Sequence, residues 1–332
     1  MPISNTYSPN APTGKTNTGS AVANREDLSN ELSLLAPEET PILSLCSKGK
    51  ATATFSEWTV DSLAAPVTTG ISEGSDVTSF SDKFADRARL GNYVQLMRRD
   101  YLVSNLQQAV TSVGPANVAQ AEAKSMREIK RDIEATIASS NEMTVENGAG
   151  TPYGMRGLGA WLQVAAQGTN PVPAAYRTPT LSILTTTLTE TAFNGVIGSI
   201  FSKNGEMNSL TLVANTALRT LISNFSRAVA STQNTYHVNQ DATSKAITLS
   251  VNMYDSDFGM VKILNGNPSC MPTGSGTNFG YVLNPKYLGF NTLIPMGATR
   301  LENQGGGERG FVDVAGTLCV KHPQAHGKIA YT

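Results

Sequence analysis

Two short stretches decide the reading of this chain: Ala51–Val60, ATATFSEWTV, and Arg87–Met97, RARLGNYVQLM. In the first, Ala51, Ala53 and Phe55 alternate with Thr52, Thr54 and Ser56. In the second, Ala88, Leu90, Val94 and Leu96 alternate with Arg87, Arg89, Tyr93, Gln95 and Met97. Alternation of this kind suits a half-buried strand, because successive side chains point to opposite faces. Between them, Ala64 to Ala85 is rich in Ser, Thr, Gly and acid and too poor in apolar residues to pack on itself. The pattern predicts a hairpin over 50–97 whose arms each extend about 30 Å at ~3.3 Å per residue. A two-stranded projection is marginal alone in water, so a neighbouring molecule is expected to cover it.

A long helix is expected next, over 115–141. Gly114-Pro115 suits its start, since proline at the first turn lacks only an N–H that would have no partner there. Ala119, Met126, Ile129, Ile133 and Ile137 trace an apolar stripe at spacings of mostly three and four. Lys124, Arg127, Glu128, Lys130, Arg131, Asp132 and Glu134 crowd the other faces, with Lys124–Glu128 and Lys130–Glu134 at the i,i+4 spacing of ion pairs. At 1.5 Å per residue such a helix spans roughly 40 Å, a length that suits a beam.

The rest divides at its breaks. Met1 to Asn24 is Ser, Thr, Asn, Gly and Pro with the single charge of Lys15, a composition that forms no stable structure in a lone monomer. Arg25 to Leu35 suits a short helix ended by Pro37. Gly148, Gly150, Gly154, Gly157 and Gly159 mark a loop, from which Trp161-Leu162 re-enters a core. After a Pro-rich linker from Pro171 to Pro179, Thr187 and Glu190 are spaced as a capping box. Leu188, Ala192, Val196, Ile200 and Phe201 then trace a helix face, ended by Asn204-Gly205. A strand over Leu210–Ala214 leads to Asn215, a candidate cap for a helix carrying Leu218, Leu221, Ile222 and Phe225. Strands follow at Ile247–Val251 and Met260–Leu264, with a turn at Asp255-Ser256, and Phe279 to Thr332 reads as strands with turns at Asn284-Pro285 and Gly305–Gly307. This segregated mixture is α+β.

The order of parts resembles that of tailed-phage major capsid proteins of the Hong Kong 97 type. The resembling motifs are Thr40-Pro41-Ile42-Leu43, Glu57-Trp58-Thr59-Val60-Asp61, Glu73-Gly74-Ser75-Asp76 and Val103-Ser104. Lys130-Arg131-Asp132-Ile133-Glu134, Gly157-Leu158, Tyr254-Asp255-Ser256-Asp257-Phe258-Gly259 and Thr317-Leu318 continue the series. The resemblance implies an N-terminal arm (1–49), an extended loop (50–97), a peripheral domain (98–165 and 286–332) built on a spine helix, and an axial α/β domain (166–285). It implies self-assembly as hexamers and pentamers into an icosahedral head around double-stranded DNA, with scaffolding, portal and decoration proteins as candidate partners. A shell protein of a cellular cargo compartment with the same fold is the nearer alternative, and a hydrolase or metalloenzyme the farther one.

Composition agrees. The 332 residues suffice for a sizeable core. A net charge of −1 lacks the basic excess expected of a protein that grips nucleic acid by releasing counterions, so a genome would be enclosed without sequence-specific binding. Cys46, Cys270 and Cys319 are too few and scattered for a disulfide framework, consistent with reduced thiols in a cytoplasm. Neither a secretory signal nor an apolar run of membrane-spanning length is visible, so a protein made in a cytosol is expected, and the resemblance implies assembly in a host cytoplasm and residence in a virion.

Several fragments resemble chemistry. Gly14-Lys15-Thr16 lacks the earlier glycine and preceding strand of a phosphate-binding loop. Cys319, His322 and His326 have zinc-like spacing but no local fourth ligand, and Cys270, His237 and Asp313 are only remote candidates for one. Asp255 and Asp257 suit turn capping better than acid–base work, and no nucleophile elbow is present. No catalytic, metal or cofactor site is therefore expected. The candidate functional residues are contacts between subunits: Trp58 on the projecting arm, Glu73 and Asp76 at its tip, and Arg87, Arg89, Arg98 and Arg99 flanking the return arm. Arginine forms bidentate pairs at interfaces, and Glu38, Glu39, Glu73 and Asp76 supply acids. A separate scaffolding protein, if any, is expected to guide assembly, because the first 24 residues carry no helical period.

Overall fold

The computed structural model describes residues 37–110, 117–168, 170–205, 210–225, 252–272 and 278–331. Expectations for 1–24, for a helix over 25–35, for the Gly114-Pro115 helix start and for a strand over 247–251 lie outside them. A short helix α1 (Pro41–Leu45) runs into strand β1 (Ser47–Lys50). The hairpin strands β2 (Phe55–Val60) and β3 (Ala88–Tyr93) follow, then β4 (Gln95–Val103) and the helices α2 (Asn105–Ala109), α3 (Val118–Ala138) and α4 (Leu158–Trp161). Next come β5 (Ile183–Leu184), α5 (Glu190–Asn204), β6 (Thr211–Ala214), α6 (Thr216–Phe225), β7 (Met253–Ser256) and β8 (Gly259–Asn265). The last strands are β9 (Asn278–Leu283), β10 (Leu288–Leu301), β11 (Glu308–Val320) and β12 (Gly327–Tyr331).

These strands make three sheets. One has four strands in the order β1-β10-β11-β4, one has six in the order β5-β12-β9-β6-β8-β7, and β2 and β3 pair alone. The β10–β11 ladder skips register on both sides of Ile294, beside Pro295, which has no N–H to give it. Helix α3 lies on the four-stranded sheet and buries Val118, Ile129, Ile133 and Ile137. Ala119, expected in that stripe, is exposed, and its neighbour Val118 takes the buried place. In the six-stranded sheet β6 and β9 are buried along their whole length. Leu212 and Val282 join the core under α5 and α6, whereas Val213, Tyr281 and Leu283 join the core around α3. One sheet therefore separates two apolar cores and belongs to both.

Four expectations need correction. The return arm is not one strand: Val94 donates its N–H to Thr54 O at 2.8 Å, and beyond it β4 leaves the hairpin to pair with β11. Hairpin pairing therefore covers only Phe55–Val60 against Ala88–Tyr93, and Ala51 is buried against Val94 and Ala315 instead of extending the arm. Helix α5 is capped by Thr189, whose hydroxyl accepts Ala192 N–H at 3.1 Å, two residues beyond the expected Thr187. Its far end is as read: Gly205 takes φ +67°, a left-handed conformation open to a residue without Cβ. The turn placed at Asp255-Ser256 falls at Asp257-Phe258, because Met253–Ser256 pairs with Gly259–Lys262. Finally, the C-terminal strand β12, grouped by sequence with β10 and β11, pairs with β9 and β5 in the other sheet. Its Ile329, wholly buried among α5-side residues, makes that sheet the favourable place to bury it. No described helix is long and apolar enough to cross a membrane.

Candidate assembly surface

The β2–β3 hairpin has a buried root and an exposed end. At the root Trp58 packs against Trp161 with ring centroids 5.6 Å apart, and Phe55 meets Tyr93 at 4.6 Å. Asn92, wholly buried in β3, donates to Arg156 O at 3.2 Å and to Leu318 O at 2.9 Å and accepts Arg156 N–H at 2.8 Å. Arg156 is itself 1% exposed. Its Nε donates to Glu142 Oε2 at 2.8 Å, its Nη2 to Asn170 O at 2.9 Å, and its guanidinium lies over the Trp161 ring. A buried cation is stable there because carboxylate, carbonyl and ring face it together. The glycine loop lies against the end of α3 because Gly157 lacks a Cβ, which would collide with Ser139 O.

Beyond the root every residue from 61 to 87 is exposed. Large apolar side chains are among them: Leu63 is 99% exposed, Phe80 90% and Ile71 88%. Such exposure is unusual for a monomer and typical of a surface awaiting a partner. The neck of this segment is closed by an ion pair of 2.8 Å between Arg87 and Asp61, whose carboxyl the arginine hydrogen bond holds below its usual range. Arg87 also stacks over Phe84, with 4.1 Å to the ring centroid.

The candidate contact residues thus have distinct places. Glu73 and Asp76 stand exposed in the loop end. Trp58 is half-buried against its own subunit's core. Within the subunit the arginines lie beside other acids. Arg87 takes Asp61, Arg89 takes Glu57 at 3.6 Å and Arg98 takes Asp313 at 3.5 Å. Arg99 grips Asp132 with two hydrogen bonds of 2.7 and 2.8 Å, which raise its own pKa further. Glu38 pairs with Arg127. Each pair joins segments far apart in sequence, a proximity that only folding creates.

Sequence reasoning missed the buried polar residues Asn92, Glu134, Arg156 and Asn267. A strand asparagine between apolar neighbours and an acid inside the helix stripe were the available signals. Glu134, expected to pair with Lys130 on the helix surface, is instead 1% exposed and bonded to the N–H groups of Ile42 and Leu43. Gly14-Lys15-Thr16 and His237 lie outside the described residues, and the three residues of zinc-like spacing are engaged in packing and hydrogen bonding. Cys319 is buried in β11, His322 lies against the rings of Tyr176 and Tyr287, and His326 accepts Asn284 N–H at 3.1 Å. Among the described residues no three potential metal ligands gather.

A model of the SU10 major capsid protein family matches residues 11–332. The chain belongs to that family. It is a major capsid protein of a tailed phage, and so a component of a virion. Solved structures share its fold at low sequence identity. A chain of the cyanophage P-SCSP1u capsid aligns with TM-score 0.64 at 11% identity, covering 98% of this chain and 99% of that one. One from Gordonia phage Cozz aligns with TM-score 0.58 at 12% identity, covering 100% and 96%. The encapsulin of Synechococcus elongatus aligns with TM-score 0.54 at 10% identity, covering 93% and 92%. No curated protein sequence matches the capsid protein. Its surface therefore has to be understood as one built to meet copies of itself.

Proposed function

We propose that this capsid protein closes into an icosahedral head, as hexamers and pentamers, around the double-stranded DNA of a tailed phage. The observation that carries the reading is the hairpin, rigid at its buried root and exposed, with apolar side chains, over 61–87. It is the extended loop of the Hong Kong 97 pattern and lies over an adjacent subunit. In this reading residues 1–49 form an N-terminal arm, α3 is the spine of a peripheral unit, and the six-stranded sheet with α5 and α6 is the axial unit. Glu73 and Asp76, with the exposed sides of Arg87, Arg89, Arg98 and Arg99, supply polar rim contacts. Trp58 holds the hairpin root from within, at the edge of the contact.

The work is done by interfaces and not by catalysis. Permanent interfaces of this kind bury about 2,000–5,000 Å². The near-neutral charge suits a wall that encloses DNA without gripping it. Assembly proceeds in the host cytoplasm, guided by a separate scaffolding protein, if any, with portal and decoration proteins as candidate partners. The similarity to an encapsulin supports a second reading, a cellular compartment around a protein cargo. Negative-stain imaging of purified protein, followed by analysis of particle contents, decides. Closed shells containing DNA support the phage head, shells around a cargo enzyme support the compartment, and a protein that never forms closed particles overturns both.

A further inference from the structure

Helix α1 has no cap of its own. Thr40 occupies the N-cap position, yet its side chain makes no capping hydrogen bond. Pro41 brings no N–H, so the first donors that need a partner are those of Ile42 and Leu43. One distant carboxylate takes both: Glu134 Oε1 accepts Ile42 N–H at 2.9 Å, and Oε2 accepts Leu43 N–H at 2.8 Å. Ile42 is wholly buried beside it. Burial pushes the Glu134 carboxyl pKa up, and the two N–H bonds pull it partly back. Charged, bidentate acceptance of this kind is strong, but it is a single side chain on which both donors depend.

The same segment is held from its other side. Asn267 Nδ2, on the turn after β8, donates to Pro37 O at 3.2 Å and to Glu39 O at 2.8 Å. That turn also reaches α3, where Cys270 Sγ donates to Arg131 O at 3.5 Å. Arg127 of α3 pairs with Glu38 at 3.1 Å. Residues 37–46 therefore lie where α3, from the core of the four-stranded sheet, meets a turn of the six-stranded sheet. They run directly into β1, where Ser47 Oγ donates to Leu288 O at 2.9 Å.

We propose that residues 37–46 are a clasp, closed by the Glu134 carboxylate and the Asn267 amide, that opens as one unit while both sheets stay folded. Three features favour opening as a unit. The helix has only five residues, one side chain of it is fully buried, and its two amide bonds share one acceptor, so losing that acceptor releases both together. Opening detaches residues 37–46 from α3 and from the turn after β8, and β1 carries the change towards the hairpin, whose first strand begins five residues after β1 ends.

Hydrogen exchange read by mass spectrometry on unassembled subunits tests this without depending on shell formation. Glu134→Gln keeps the side-chain shape but turns one acceptor into a donor facing an N–H. Exchange across 40–46 should accelerate about ten- to a hundredfold, while β9 and β11 keep their protection. Asn267→Ala, which leaves α3 and Glu134 untouched, should accelerate the same segment. Unchanged exchange at 40–46 in both variants overturns the proposal. Equal acceleration through β9 and β11 overturns it too, since the segment would then be ordinary core.

Discussion

The Asn92 side chain pairs with the Arg156 backbone through both ends of its amide, Oδ1 accepting the N–H at 2.8 Å and Nδ2 donating to the carbonyl at 3.2 Å. A side chain here does what a neighbouring strand would do. The glycine loop is thereby joined to the hairpin as if it were one more rung of the ladder. Nδ2 also reaches Leu318 O in β11, so one residue ties hairpin, loop and sheet together. The projecting loop can be long and polar because its root is fixed at this point.

Asn92→Ala removes all three bonds and leaves buried backbone groups without partners. It should destabilise the unassembled subunit by about 2–4 kcal/mol, because orphaned buried donors and acceptors cost more than a made bond contributes. Chemical denaturation of the variant measures this. A loss below half a kcal/mol would mean that water enters and replaces the amide.

Deleting Pro66–Asp82 removes only exposed residues. Circular dichroism should show a folded subunit, and electron microscopy should show no closed shells. Normal shells from the deletion would dismiss the hairpin as an assembly element.

His326 makes stability depend on pH. It is fully buried, its Nδ1 already accepts Asn284 N–H, and burial pushes its pKa down from 6.5 to about 4. A proton therefore binds the unfolded chain more readily than the folded one between those values. Full stability is present above about pH 6.5, falls as pH drops towards 4 and levels off below it, a loss of about 3 kcal/mol. Denaturation midpoints across that range, compared with those of His326→Asn, isolate the effect. The variant should lack this part of the slope.

Residues 1–24 hold few sizeable apolar side chains besides Met1, namely Ile3, Tyr7 and Val22, and ordering costs about 1–2 kcal/mol per residue in backbone entropy. Removing them should leave the circular dichroism of the subunit unchanged and lower the temperature at which shells fall apart. Shells of undiminished heat stability would show that the segment contributes nothing between subunits.

What the sequence determined by itself was local. Alternation announced the hairpin and the polar run announced its exposed end. The three- and four-residue spacing of Met126, Ile129, Ile133 and Ile137 announced α3, and Asn215 was readable as the cap whose Oδ1 accepts Leu218 N–H at 2.9 Å. These signals act over a few residues, and the order of short motifs added the family. Only the tertiary structure decided which distant groups meet. Thr40-Pro41-Ile42-Leu43 and the Glu134 motif read as separate fragments, yet they are the two halves of one contact spanning 92 residues. Arg99 had several acids to choose from and received Asp132 because β4 packs on α3. The arm broke at Val94, and β12 joined the six-stranded sheet, for the same reason. Periodicity states that a face must be buried, but the apolar surface that covers it comes from residues far along the chain, and burial is non-directional until the whole fold closes.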